Sequence, residues 1–109
     1  MIVEIVLFKS GHHGHPELEL ESAKKTVPKW RANPDLVRKH YMRDGRGNIG
    51  AVYVWKTLAA AKAAHNEAWC AEVEKRDGSR PTLQYFEMFM ELDNAAGAVR
   101  EFASGALAL

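Results

Sequence analysis

One histidine, His65, stands where an imidazole could do chemistry. It belongs to a helix predicted over residues 57–75, on the face that also carries Leu58 and Trp69, so we expect it to point toward the sheet. An imidazole in a partly apolar cavity can act as a general base near neutral pH or orient a phenol. The alternative is a core histidine bonded to a backbone carbonyl or to a carboxylate such as Glu72.

Aromatic side chains could form the walls of a ligand site around this histidine. Trp69 follows His65 by one helical turn, Trp30 belongs to the other helix, and two tyrosines come from strands. An indole can stack on an aromatic ligand, and a phenol can donate a hydrogen bond to a ligand carbonyl. We therefore predict four aromatic ligand-binding residues, each with simple core packing as its alternative role. They are Trp30, Tyr53, Trp69 and Tyr85.

Glu4 interrupts the otherwise apolar run over residues 2–8. A carboxylate inside a buried strand needs a partner or water. Without a partner it could serve as a base, and with one it would form an ion pair to an arginine or lysine across a subunit boundary. We add Glu4 to the predicted ligand-binding residues.

The loop after the first strand contains His12, His13 and His15. Three imidazoles can bind zinc or nickel, but this run offers no carboxylate and no supporting second layer of side chains. We predict a solvated loop at the mouth of the pocket and no metal site. The lone cysteine, Cys70, can form neither an intramolecular disulfide nor a zinc–thiolate cluster. It is predicted to act as a small hydrophobe in a reducing compartment.

Length and charge narrow the class of protein. The 109 residues suit one domain, and a net charge of +1 is too small for a dedicated nucleic-acid surface. The apolar N-terminus lacks the basic segment of a signal peptide, and the Ala/Leu-rich C-terminus is too short to span a bilayer. We expect a cytoplasmic protein without nucleic-acid or membrane partners.

The predicted elements follow the order β-α-β-β-α-β, with strands over residues 2–8, 36–43, 49–55 and 82–92. The first helix begins at Pro16, buries a stripe of Leu20, Ala23, Val27 and Trp30, and is kinked or divided at Pro28. This order predicts an α+β, ferredoxin-like domain over residues 1–94, with two helices on one face of a four-stranded antiparallel sheet. A tail over residues 95–109 is predicted to dock on the domain or on a partner subunit, with a short helix near residues 98–103.

The strands are apolar on both faces, whereas two helices can cover only one. A bare aromatic face would exceed what monomers usually expose, and a two-fold axis would bury it. We expect the aliphatic set, including Val3, Ile5 and Val52, under the helices. The aromatic set is expected between the two subunits of a homodimer. Its members are Tyr53, Trp55, Tyr85 and Phe89, with Glu4, Glu87 and Glu91.

Three segments carry a resemblance to a known family: residues 50–55 (GAVYVW), the Ala-rich helix with His65 and Trp69, and residues 85–87 (YFE). In these segments the chain resembles the dimeric α/β-barrel proteins, particularly the YdhR-like monooxygenases. The resemblance implies a ferredoxin-like subunit paired into a dimeric α/β barrel, with a pocket between the sheet and the helices. It also implies oxygenation of an aromatic or polyketide-like compound without a metal, flavin or other cofactor.

On this resemblance we predict a monooxygenase-type oxidoreductase with His65 as its catalytic residue. Cofactor-free oxygenases of this superfamily use Asn, Trp and Arg groups, and its heme-degrading members use Asn, Trp and His. The first strand here offers Glu4 instead. The alternative is a non-catalytic protein of the same fold that binds a small molecule, or heme with His65 as the axial ligand.

Overall fold

A four-stranded antiparallel sheet forms the body of the protein, with strand order β2-β3-β1-β4. The computed structural model describes residues 1–107. The strands of the sheet are β1 (Ile2–Lys9), β2 (Leu36–Arg43), β3 (Asn48–Trp55) and β4 (Thr82–Glu87). The helices are α1 (Pro16–Arg31), α2 (Leu58–Ala64) and α3 (Glu67–Asp77), and a hairpin of β5 (Met90–Asp93) and β6 (Ala98–Glu101) follows. The predicted ferredoxin-like α+β fold is confirmed.

The most continuously apolar segment, β1, is a central strand between β3 and β4. Its register places Glu4 opposite Tyr53 on one side and Tyr85 on the other. Lys39 of the edge strand β2 lies opposite Tyr53. Four polar or aromatic side chains therefore form one row across the sheet, all on the same face.

That face lies under the helices, so the predicted assignment of the two sheet faces is wrong. Three even-numbered residues of β1, Ile2, Glu4 and Val6, are buried, together with Tyr53 and Trp55 of β3. The apolar and aromatic members of this set form one core cluster with Trp30 and Ala61 of the helices. The alternation of side chains separated the two sets correctly but could not decide which set the helices cover. The indole N–H of Trp55 favours this side because it finds an acceptor there.

The opposite side of the sheet carries the aliphatic set, and we call it the open face: Val3, Ile5, Leu7, Val52 and Phe86. The first four of these residues are half-buried. Phe86 is 48% exposed. This face therefore presents apolar surface to the outside.

The first helix differs from its prediction in two ways. It continues through Pro28 to Arg31 without division, although Pro28 lacks the N–H that would donate to the carbonyl four residues earlier. Of the predicted stripe, Trp30 is buried, whereas Leu20 is 55% exposed. Near the start of α1 the buried residue is Glu19, whose Oε2 accepts a hydrogen bond of 2.6 Å from Ser10 Oγ.

The predicted second helix is interrupted at His65, which has φ −118° and ψ 59°. Asn66 then starts α3, because its side chain accepts a hydrogen bond from the Trp69 backbone N–H. Thr57 caps α2 in the same way through the N–H of Ala60. No helix within residues 1–107 has the length and apolar character needed to cross a membrane.

The C-terminal part also departs from its prediction. The fourth strand ends at Glu87 rather than at Leu92, and Phe89 lies beyond it, 71% exposed. The helix expected near residues 98–103 is replaced by strand β6. A turn with Gly97 at φ 64° joins it to β5, and Asp93 supports the turn by accepting the Ala96 N–H. Turn chemistry therefore overrides the helical preference of the alanines.

Candidate functional site

A buried polar group lies between the sheet and the helices. His65 Nδ1 is 2.8 Å from Glu4 Oε1, and both side chains are fully buried. The same oxygen accepts the indole N–H of Trp55 at 2.9 Å. An indole can only donate, so Oε1 is an acceptor, and we assign the Nδ1 proton of His65 to the hydrogen bond with Glu4. His65 thus bonds to a carboxylate, but the carboxylate is Glu4 rather than the Glu72 named from the sequence. Among residues 1–107, Glu4 forms an ion pair with no lysine or arginine.

Three different elements bring this group together. Glu4 points from β1 toward the helices, Trp55 ends β3, and His65 ends α2. The residues are 51 and 61 positions apart in the chain. The break after α2 matters here, because a non-helical His65 turns its ring toward Glu4 while Asn66 begins the next helix.

Two atoms of this group have no hydrogen-bond partner. They are Glu4 Oε2 and His65 Nε2, the two buried side-chain polar atoms without a partner among the described residues. A buried polar atom without a partner costs about 1–3 kcal/mol, and native structures contain few of them. With Nδ1 protonated, Nε2 of His65 carries a lone pair that is free to accept a proton.

Aromatic rings surround the histidine. Its ring centroid lies 4.5 Å from that of Trp69, 4.7 Å from Tyr53 and 5.4 Å from Trp30. The structure thus places these three predicted residues around His65, and it adds Trp55 at 6.3 Å, which had been assigned to a subunit interface. His65 itself is only 3% exposed, so a ligand would reach Nε2 after a ring has moved. Trp69 is the half-buried ring among the four.

The two tyrosines beside Glu4 keep their protons. Burial, and next the Glu4 carboxylate, raise the pKa of Tyr53. The same causes, in the same order, raise the pKa of Tyr85 to about 12. The Tyr85 hydroxyl is close enough to Glu4 to sense its charge but does not satisfy Oε2 with a normal hydrogen bond. Both phenols are therefore available as hydrogen-bond donors at neutral pH.

Lys39 is a functional candidate that the sequence-based interpretation missed. Its amine lies over the rings of Tyr41, Trp30 and Tyr53, at 4.1, 4.5 and 4.7 Å from their centroids. Burial, and secondarily the charge of Lys29, lower its pKa from 10.5 to about 7. Its position in β2 could have revealed it, because Lys39 lies on the same face of the sheet as Tyr41 and is the cross-strand neighbour of Tyr53.

The histidine loop lies apart from this site. His13 lines a cavity of about 230 Å³ together with Glu19, Arg43 and Asn48, and His65 lines neither this cavity nor the second one at α3. Within residues 1–107, no three His, Cys, Asp or Glu side chains are grouped to hold a metal ion. The loop therefore lines a cavity of its own at the start of α1. Burial raises the pKa of the Cys70 thiol, which makes it a weak nucleophile.

Comparison with known proteins identifies the fold. No family model and no curated protein matches the sequence. A protein of unknown function from Nitrosomonas europaea is similar in structure, with a TM-score of 0.61, 14% identity, and coverage of 80% of this chain and 87% of that one. An antibiotic biosynthesis monooxygenase has a TM-score of 0.58 and 16% identity, with coverage of 81% of this chain and 98% of that one. A monooxygenase from the ActVA-Orf6 gene of Streptomyces coelicolor was solved with the ligand nanaomycin D. It has a TM-score of 0.55 and 17% identity, with coverage of 78% of this chain and 84% of that one.

These similarities show that the chain has the ferredoxin-like fold of antibiotic biosynthesis monooxygenases. The YdhR-like subgroup named from the sequence stays a prediction. A shared fold does not fix a reaction, so the chemistry must be argued from the side chains of this chain.

Proposed function

We propose that the protein is a monooxygenase acting on a hydrophobic aromatic or polyketide-like molecule, with His65 as its general base. The observation that carries the proposal is the buried Glu4–His65 pair, in which Nδ1 is held and Nε2 is free. Carboxylate–histidine pairs of this kind fix the tautomer and stabilise the imidazolium that forms when the histidine takes a proton.

The proposed reaction draws its electrons from the substrate. His65 Nε2 removes a proton from a phenol or an activated CH₂ group, and Glu4 stabilises the resulting imidazolium. The substrate anion donates electrons to O₂, and a carbon–oxygen bond forms to give a peroxide. Cleavage of the O–O bond leaves one oxygen atom as a new carbonyl and releases the other as water. An anthrone and O₂ would thus yield an anthraquinone and water, with no external reductant or cofactor.

The rings around His65 suit such a substrate. Trp30, Tyr53 and Trp69 offer flat apolar walls within 5.4 Å of the imidazole, and aromatic ligands stack on such walls. The protonated phenol of Tyr85 can donate to a carbonyl oxygen that gains charge during the reaction. The neighbour solved with nanaomycin D supports a small-molecule ligand for this fold.

Oxygen consumption with a panel of anthrones and hydroquinones tests the proposal. We expect turnover that His65→Ala reduces by about a hundredfold or more, the usual size of a general-base contribution. His40→Ala is the matched control, because His40 is an exposed histidine on β2, and it should retain full activity. Absence of turnover across the panel, or equal activity in both variants, would contradict the assignment.

A non-catalytic binding protein is the second candidate, because β1 offers the single carboxylate of Glu4 and no asparagine beside His65. In that case a small molecule would copurify and be recovered unmodified after exposure to O₂. Heme is its special case, with His65 Nε2 as the axial ligand. A heme titration that leaves the Soret band unshifted would exclude it.

We also propose that the protein acts in the cytoplasm as a homodimer. The open face and the β5–β6 hairpin supply the apolar surface for association, since Phe86, Phe89, Leu92 and Val99 are each at least 48% exposed. This replaces the interface predicted from the sequence, whose aromatic residues lie mainly under the helices. The lone buried Cys70 fits a reducing compartment.

A further inference from the structure

Lys39 is set apart from the other lysines by its surroundings. Its amine lies within 4.7 Å of three ring centroids, those of Trp30, Tyr41 and Tyr53. Tyr41 is fixed by a 2.7 Å hydrogen bond between its hydroxyl and Thr26, and Trp30 and Tyr53 belong to the core. The amine therefore lies in a preformed aromatic recess at the edge of the sheet.

No negative charge balances this amine. None of the ion pairs formed among residues 1–107 includes Lys39. The charge that acts most strongly on Lys39 belongs to another cation, Lys29 of α1. The amine of Lys29 lies 4.7 Å from the ring centroid of Trp30. The phenols of Tyr41 and Tyr53 also face the amine, and burial together with the Glu4 carboxylate raises the pKa of Tyr53, which keeps it protonated.

Two opposing effects act on the charge of Lys39. Ring faces attract an ammonium ion, whereas burial removes the water that stabilises it and Lys29 repels it. Because the rings replace only part of the lost hydration, the neutral form gains, and the pKa falls to about 7. About half of the Lys39 amines are then neutral at pH 7, against fewer than about one in a thousand for a solvated lysine.

We propose that Lys39 is a covalent binding site for aromatic aldehydes and ketones. The lone pair of its neutral amine attacks the carbonyl carbon and forms a carbinolamine, which loses water to give an imine. One amine and one carbonyl compound thus yield one imine and one water, with no redox change. Desolvated lysines are the ones that proteins use for such Schiff bases.

The recess also selects the carbonyl compound. Tyr41 is 42% exposed, so one ring face of the recess is accessible to an incoming ligand that can stack on it. An aldehyde attached to an aromatic ring is favoured over a small aliphatic aldehyde. Imine formation at Lys39 requires neither His65 nor O₂, so this proposal can be tested independently of the monooxygenase proposal.

Reductive trapping tests this inference on the intact protein. Benzaldehyde and cyanoborohydride, which delivers hydride to the imine, are added at pH 7, and labelled peptides are quantified by mass spectrometry. We expect Lys39 to be labelled about tenfold or more faster than the exposed Lys24 and Lys25 of α1, with a rate midpoint near its pKa of about 7. Acetaldehyde should show a smaller preference for Lys39.

Two variants keep the test decisive. Lys29→Gln removes the neighbouring cation from the surface and should move the midpoint of Lys39 labelling to higher pH. Lys39→Arg should remove the fast-labelled peptide and leave Lys24 and Lys25 unchanged. Labelling of Lys39 no faster than that of Lys24 and Lys25, or a midpoint near that of free lysine, would overturn the proposal.

Discussion

At the scale of single residues, the site depends on how Glu4 is satisfied. One of its oxygens accepts two hydrogen bonds, from His65 and Trp55, and the other has no partner. Removing this acceptor leaves two donors buried without a partner, which is more costly than the loss of one hydrogen bond.

Glu4→Ala should therefore destabilise the protein by about 3–5 kcal/mol or prevent folding, as expected when one partner of a buried pair is removed. Glu4→Gln keeps a carbonyl oxygen for Trp55 and His65 and should cost about 1–2 kcal/mol. Urea unfolding followed by tryptophan fluorescence measures both. A Glu4→Ala protein within 1 kcal/mol of wild type would mean that the pair contributes little to stability.

Lys39 predicts a pH-dependent stability. Below about pH 7 its amine is charged in both the folded and the unfolded state, so the cost of burying the charge is present in full. Between this pKa and the ordinary value of 10.5 the folded protein releases the proton that the unfolded chain keeps, so stability rises with pH. Above 10.5 the cost is absent.

Lys39→Met, which keeps the length of the stem, should accordingly stabilise the protein at pH 6 by about 1–2 kcal/mol after allowance for solvent screening. The gain should disappear as the pH approaches 10. Thermal unfolding across this pH range measures it, with Lys24→Met on the exposed surface as control. A gain that does not vary with pH would show that the amine titrates normally.

At the scale of elements, the pairing of β1 with β3 depends on Gly50. A Cβ atom at this position would lie 1.8 Å from the carbonyl oxygen of Val6. Because Val6 belongs to the central strand of the sheet, its backbone cannot retreat without breaking ladder hydrogen bonds.

Gly50→Ala should thus cost about 3 kcal/mol or more, or abolish folding. Gly11→Ala is the matched control, since the space around Gly11 is open and its φ is not positive, and it should be neutral. Circular dichroism and urea unfolding compare the two. Equal stability of both variants would mean that β1 and β3 are not so closely opposed.

At the scale of the whole molecule, the exposed surface is larger than that expected for a monomer of this size. The chain exposes 7274 Å², whereas a monomer of 12.2 kDa is expected to expose about 6,100 Å². The excess of about 1,200 Å² exceeds the roughly 800 Å² per partner of a standard interface. The β5–β6 hairpin explains part of it, because its strands pack mainly on each other and their apolar side chains face outward.

We expect sedimentation velocity to show a dimer at micromolar concentration. Phe86→Lys places a charge on the open face and should shift the population toward monomer or aggregate. Leu20→Lys serves as control, since Leu20 is exposed to a similar extent, 55% against 48% for Phe86, but lies on α1. A wild-type monomer, or equal effects of the two substitutions, would show that the open face is not an interface.

The sequence by itself determined the order of the four sheet strands along the chain, the two side-chain sets of β1 and β3, and the inward direction of His65, Trp69 and Trp30. These features are local, because strand alternation and helical spacing act over a few residues. The tertiary structure decided which set the helices cover, since both sets are apolar and the choice depends on whether the Trp55 indole and His65 find an acceptor. It also decided that Glu4 and His65, 61 positions apart, become partners, and that Lys39 loses its hydration between rings from three different elements. Such pairings depend on register and packing across the whole fold, and no periodicity in the chain encodes them.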